Sequence, residues 1–214
     1  MPAWIAYVAI AAAIAYLPMT DRPNSLLRSV WKTVPVAALA LAAWIAGGPA
    51  FLVAALFLSA LGDWSLSRNG AASFLYGLSA FALSHIVYIL HMLAISGAMP
   101  WEGFVLFPLF AIAMFAVTVS TETWLIPHTG AMKWPVRAYV VIILTMGLSA
   151  MTLPAGHLPA LIGAGLFVAS DLILSIELFR LGDKHRLTPL ASKLVWITYI
   201  GAQVGLFWGL GGLG

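Results

Sequence analysis

The 214-residue chain has no cysteine, which excludes disulfides, thiolate nucleophiles and cysteine-ligated metals. Charge is nearly as scarce: 8% of residues are Asp, Glu, Lys or Arg, against about 25% in a soluble globular domain. There is no run of basic residues to suggest a nucleic-acid surface, so the net charge of +3 concerns topology more than partners. What fills the chain is apolar, with 63% hydrophobic residues and a mean hydropathy of +1.02. This composition reads as an all-α, polytopic membrane protein.

A spanning helix needs about 20 mainly apolar residues. With Pro and Gly as punctuation, that ruler predicts eight transmembrane helices: 3–18, 31–47, 50–67, 72–96, 103–120, 134–152, 158–180 and 190–210. They form a single domain over 1–214, with no segment left over for a soluble unit. The amino end lacks a basic leader and is expected to be a retained first span. All ten Lys and Arg fall in or beside the odd-numbered loops. By the positive-inside rule the odd loops are cytoplasmic and both termini lie outside, in an inner or plasma membrane.

The chain also resembles itself. "WKTVPV" before the second span faces "MKWPV" before the sixth, and "GDWSLS" on the third faces "SDLILS" on the seventh. The matched prolines are 100 residues apart and the matched aspartates 108. Two four-helix halves of like orientation are the corresponding expectation, although such matches arise easily in apolar sequence.

Polar groups inside the spans cost several kcal/mol each unless paired or hydrated. "LSALGDWSLS" at 58–67 puts Ser59, Asp63 and Ser67 on one helical face, and "FVASDLILS" at 167–175 does the same for Asp171 and Ser175. His85 and Tyr88 share the fourth span, Trp196, Tyr199 and Gln203 the eighth, with Lys193 one turn earlier, and Lys32 opens the second. The predicted topology sets Asp63, Lys32, Lys193 and Arg137 near the cytoplasmic edge, with Asp171, His85, Tyr88 and Tyr199 deeper. One polar pocket open to the inner leaflet follows. Each residue also has a plainer reading: Asp63 as a partner of Lys32 or Arg68, Asp171 as a partner of Lys193 or Lys32, His85 as a packing histidine, the aromatics as belt residues. Glu122 and His128 are expected in the fifth loop, near the pocket mouth.

Two neighbouring carboxyl groups titrate as a coupled pair, so one holds a proton while the other is ionised. That supplies a general acid and a general base, enough to hydrolyse an acid-labile bond without a metal or a covalent nucleophile. The five histidines form no HExxH or HxxxH pair, and there is no GxSxG. The tail "GLGGLG" lacks the basic residue and following helix of a phosphate loop. No metal and no cofactor are therefore expected. Three rivals use the same residues: a small proton-coupled transporter working through the two aspartates, a metal-dependent lipid hydrolase built on His85 and the aspartates, and a structural scaffold that tolerates Asn at both positions.

"LSALGDWSLS", "FALSHIVYIL", "FVASDLILSIELF" and "TYIGAQ", with a Lys opening the second span, resemble the YhhN-like family of lysoplasmalogenases, eight-helix membrane proteins. The resemblance runs from the second span to the eighth. It implies cleavage of the vinyl ether bond of a lysophospholipid in the bilayer, giving a fatty aldehyde and a glycerophospho-alcohol such as glycerophosphocholine or glycerophosphoethanolamine. Asp63 and Asp171 match the family's two motif aspartates and are the implied catalytic pair. His85, Tyr88, Tyr199 and Gln203 match its other polar helix positions. On this reading Lys32, Lys193 and Arg137 hold the lipid phosphate, and His85 and Tyr88 orient a carboxylate or water. Asp171, the deeper carboxyl, is assigned as acid and Asp63 as base, an order the sequence does not force.

Overall fold

The computed structural model describes residues 3–182 and 185–211. Lys184, counted above among the basic loop residues, and the last three residues of the glycine-rich tail lie outside the described residues. Among the described residues every regular element is helical: α1 Ala3–Tyr16, α2 Leu26–Ile45, α3 Ala50–Leu66, α4 Ala71–Ser96, α5 Gly103–Leu106, α6 Pro108–Trp124, α7 Lys133–Met151, α8 Leu158–Ile176 and α9 Thr188–Leu210, joined by short turns.

Six helical stretches have the length and hydropathy to cross a membrane: Leu26–Ile45, Ala71–Ser96, Pro108–His128, Gly130–Met151, Ala155–Leu181 and Thr188–Leu210. Trp4–Met19 and Ala50–Leu66 are apolar but shorter. With 17 residues, α3 is roughly 26 Å long, a little under the hydrocarbon thickness of about 30 Å. Large apolar side chains such as Trp44, Val105, Leu109 and Ile112 face outward, where only lipid makes them inexpensive. The chain is a multi-pass membrane protein in which six helices reach spanning length, and α1 and α3, two of the eight expected spans, fall short of it.

Two boundaries depart from expectation for local reasons. α2 starts at Leu26 rather than 31, because Ser25 adopts extended geometry and its hydroxyl accepts the Arg28 backbone N–H at 3.2 Å. The span predicted at 103–120 is broken in two. Pro108 lacks an N–H and disfavours helix at the residue before it, and Phe107 sits at φ −134°, ψ 63°. α6 then runs on to Trp124, so Glu122 is a helical residue and not a loop one. His128 closes the turn Ile126–His128 that follows.

Neighbouring helices are joined by small and polar residues, as bilayer interiors require. α8 and α9 touch backbone to backbone: a Cβ on Gly205 would lie 2.7 Å from the Pro159 carbonyl oxygen, and one on Gly209 would collide with the Ala160 nitrogen. The Ser84 hydroxyl donates across to the Ala55 carbonyl at 2.8 Å and receives that of Ser59 at 2.8 Å, tying α4 to α3. Trp196 Nε1 donates to the Ala13 carbonyl at 2.9 Å, fixing α1 on α9. His91 and His157 reach the carbonyls of Leu210 and Gly209 at 3.1 and 2.6 Å. They satisfy the acceptors that the end of α9 leaves open.

Candidate active site

Asp63 lies near the end of α3, directly after a glycine that the packing requires. A Cβ on Gly62 would sit 2.6 Å from the Phe81 ring, so only Gly lets α4 lay that ring beside the aspartate. Asp63 is 1% exposed. Its Oδ2 accepts the Tyr199 hydroxyl at 2.6 Å, and its Oδ1 stands 3.8 Å from Lys32 Nζ. The latter is an ion pair too long for a direct hydrogen bond, so the ammonium is near but not fully committed. Behind it, the Tyr88 hydroxyl donates to Gln203 Oε1 at 2.9 Å, and Gln203 adjoins the Tyr199 hydroxyl.

Asp171, on α8, has a different set of neighbours. The Tyr139 hydroxyl, from α7, donates to its Oδ2 at 2.7 Å and lies 2.9 Å from His85 Nε2. A phenol has one hydrogen, so once it is given to Asp171 the oxygen must accept from the imidazole. This order assigns the proton of a neutral His85 to Nε2 and leaves Nδ1 buried with no hydrogen-bond partner among the described residues. His85 Nε2 is itself 3.6 Å from Asp171 Oδ2, outside hydrogen-bond reach. The result is a chain His85, Tyr139, Asp171. Among the described residues no Lys or Arg stands within ion-pair distance of Asp171.

Both aspartates line the same cavity of about 450 Å³. Aromatic rings form its wall near them: Phe81, Phe167 and Tyr199 meet edge to face with centroids 5.4 to 6.1 Å apart. Its lining includes apolar side chains, among them Phe110, Met114 and Val117 of α6 with Leu144 and Val168. It also includes the polar and charged Thr20, Arg28, Lys32, Glu177 and Ser192. Glu177 opens a π-helical turn, Glu177–Leu181, at the end of α8, and its Oε1 takes a short hydrogen bond from the Ser192 hydroxyl. Such turns are rare and concentrate at functional sites.

The expected site residues thus divide. Asp63, Asp171, Lys32 and Tyr199 line the cavity, while His85, Tyr88 and Gln203 stand behind its polar wall. Lys193 is partly buried on α9 but does not line the cavity. Arg137 does not line it either, and is held by Glu122 through Nε and Nη2 at 2.8 and 2.5 Å with its guanidinium over Trp134. Tyr139 was not anticipated, and its only sequence signal is a lone phenol in the apolar run after Arg137. Among the described residues no group of three or more His, Asp or Glu converges as a metal site would.

Two carboxyls, each bonded to its own phenol and both lining one cavity inside a bundle of apolar helices, define a multi-pass membrane protein with a buried polar site. Residues 27–210 match the YhhN family, and the chain belongs to it. It is similar to proteins of Mycobacterium bovis and Mycobacterium tuberculosis, both named lysoplasmalogenase. Each is 32% identical over 197 residues, covering 87% of this chain and 72% of the relative. A Sus scrofa protein named lysoplasmalogenase TMEM86B is 28% identical over 176 residues, 72% of this chain and 77% of its own. No solved structure matches the chain.

Proposed function

We propose that the protein hydrolyses the vinyl ether bond of lysoplasmalogens within the membrane, releasing a fatty aldehyde and a glycerophospho-alcohol, by acid–base catalysis between Asp171 and Asp63. One observation carries this reading: two carboxyl groups from helices far apart in sequence open on one cavity whose lining includes apolar side chains enough for an alkenyl chain. The relatives' names supply the bond. The names give no support to a transporter.

The surroundings of the two carboxyls support an order for their roles. Asp63 has the Lys32 ammonium beside it, which suits the ionised partner. Asp171 has a phenol and an imidazole at hand and, among the described residues, no Lys or Arg, which suits the partner that brings a proton. Asp171 protonates the vinyl carbon distal to the ether oxygen, forming an oxocarbenium ion that the Asp63 carboxylate stabilises. Water attacks the cationic carbon and gives its proton to Asp63. Asp63 then returns that proton to the leaving ether oxygen while the Asp171 carboxylate takes the hemiacetal hydroxyl proton. The aldehyde departs, one water has been added, and both groups are reset.

The eight-span topology is part of the proposal, with α1 and α3 crossing as short spans and the odd loops cytoplasmic. Lysophospholipid enters from the inner leaflet beside α6, which buries only Ala111 and Thr121 and so is the most lipid-exposed wall of the cavity. The test is aldehyde release from an alkenyl lysophospholipid by purified protein in detergent with chelator present. Aldehyde formation at a rate proportional to enzyme supports the reading; its absence with every headgroup, from folded protein, sinks it.

Tyr139 positions Asp171. In Tyr139→Phe the aspartate loses its donor and the His85 N–H loses its acceptor. The expected outcome is a fall in kcat of roughly 10- to 100-fold with KM nearly unchanged. A rise in KM at constant kcat would instead make Tyr139 part of the substrate contact surface.

A further inference from the structure

Arg28 and Lys32 stand one turn apart on one face of α2, and both line the cavity. Lys32 is only loosely engaged with Asp63, at 3.8 Å. Arg28 is held firmly but without neutralisation. Its Nε donates to the Met19 carbonyl at 2.9 Å, its Nη2 to the Thr20 carbonyl at 2.9 Å and its Nη1 to Asn24 Oδ1 at 2.5 Å. All three acceptors are neutral, and among the described residues no carboxylate lies within ion-pair distance of Arg28. Two of the five guanidinium N–H bonds are left over. A fixed guanidinium with no carboxylate at ion-pair distance among the described residues, one turn from an ammonium on a cavity that Asp63 and Glu177 also line, matches the charge and the donor geometry of a phosphate.

We infer that Arg28 and Lys32 form the seat for the phosphodiester of the lysophospholipid headgroup, in place of Lys193 and Arg137. The inference rests on the lipid-hydrolase reading above and adds to it the group that fixes the substrate's register. With the phosphate at Arg28 and Lys32, the glycerol comes next to Asp63, beside Lys32, and the hydrocarbon chain runs along apolar lining residues such as Phe110 and Met114. The carbonyls of Met19 and Thr20 hold the guanidinium in place before the ligand arrives, so little side-chain freedom is lost on binding.

The test compares two ligands that cannot be hydrolysed, a saturated 1-O-alkyl lysophospholipid and the matching 1-O-alkylglycerol, with Kd measured on the full protein in detergent. The wild type is expected to prefer the phosphate-bearing ligand, and Arg28→Gln to reduce that preference at least roughly tenfold. Arg28→Lys keeps the charge and is expected to retain most of the preference. An unchanged ratio in folded Arg28→Gln overturns the seat, and an equal loss in Arg28→Lys and Arg28→Gln reduces Arg28 to a loop anchor. If Arg28→Gln does not fold, Lys32→Gln, which leaves the Met19 and Thr20 contacts intact, carries the same expectation and the same overturning result. Inorganic phosphate that binds wild type but not Arg28→Gln, without competing with the lysophospholipid, overturns the headgroup assignment in favour of a free-phosphate site. Neither probe contains a vinyl ether, so a wild type that binds with this preference yet releases no aldehyde would sink the hydrolase and leave the seat standing.

Discussion

Asp171→Asn and Asp63→Asn are each expected to lower aldehyde release by roughly 10³-fold while leaving the Kd for an unhydrolysable alkyl lysophospholipid nearly unchanged. Asparagine keeps the volume of aspartate, and its Oδ1 still accepts the hydrogen bond from Tyr139 or Tyr199. What it loses is a proton that can be given and taken back, so chemistry is hit and binding is spared. The two substitutions differ in one respect. Asp63→Asn also strands Lys32, 18% exposed, without its carboxylate, and a charge left unpaired in low dielectric is destabilising. Combining Asp63→Asn with Lys32→Met is therefore expected to recover thermal stability but not turnover. The paired substitution Asp63→Asn with Asp171→Asn is expected to be scarcely worse than either alone, because groups serving one proton cycle are not additive. Aldehyde release within tenfold of wild type in folded Asp171→Asn would remove it from the proton path and end the acid assignment. A scaffold tolerates both changes; a carrier loses flux and never makes aldehyde.

The helices were legible wherever an apolar run ended in a strong signal, and the misses trace to weak ones. Ser25 caps α2 with its own hydroxyl, and a lone serine before "LLRS" resembles a loop residue. Starting the helix at 31 left Arg28 in the first loop, so its place one turn from Lys32 could not be seen. Pro108 gives little sign of a break, because the residues on both sides are equally apolar. A span read as 103–120 leaves Glu122 in a loop, where its pairing with Arg137 is not visible from sequence. Asp63, Asp171 and Lys32 were conspicuous because charge is expensive in a bilayer. Tyr139 was not, because a tyrosine in an apolar helix usually only packs. Its role depends on the register of α7 against α8, a tertiary fact that spacing along one helix does not contain. Spacing is equally silent on Lys193: it lies near Trp196 in sequence, yet Trp196 lines the cavity and Lys193 does not.

The α8–α9 contact gives the second large effect, because it sets the distance between the two halves of the site. α8 carries Phe167 and Asp171, and α9 carries Trp196, Tyr199 and Gln203. Their separation is held by glycines whose neighbours are backbone. A Cβ on Gly205 meets the Pro159 carbonyl oxygen at 2.7 Å and the Gly163 Cα at 2.9 Å, atoms that yield only if the helices move apart. Gly205→Ala is therefore expected to lower stability by about 3 kcal/mol and to reduce turnover further, since it displaces Asp171 from Tyr199 and Asp63. The same substitution one turn earlier has the opposite sign. A Cβ on Gly201 meets only the tip of the Leu166 side chain at 3.2 Å, which can rotate away, so the helix-propensity gain of up to about 1 kcal/mol prevails. Thermal unfolding of the two variants in one detergent compares a methyl against backbone with a methyl against a mobile side chain, on one helix. Equal melting temperatures would mean that α8 and α9 are not in backbone contact. The cavity would then owe its width to other helices.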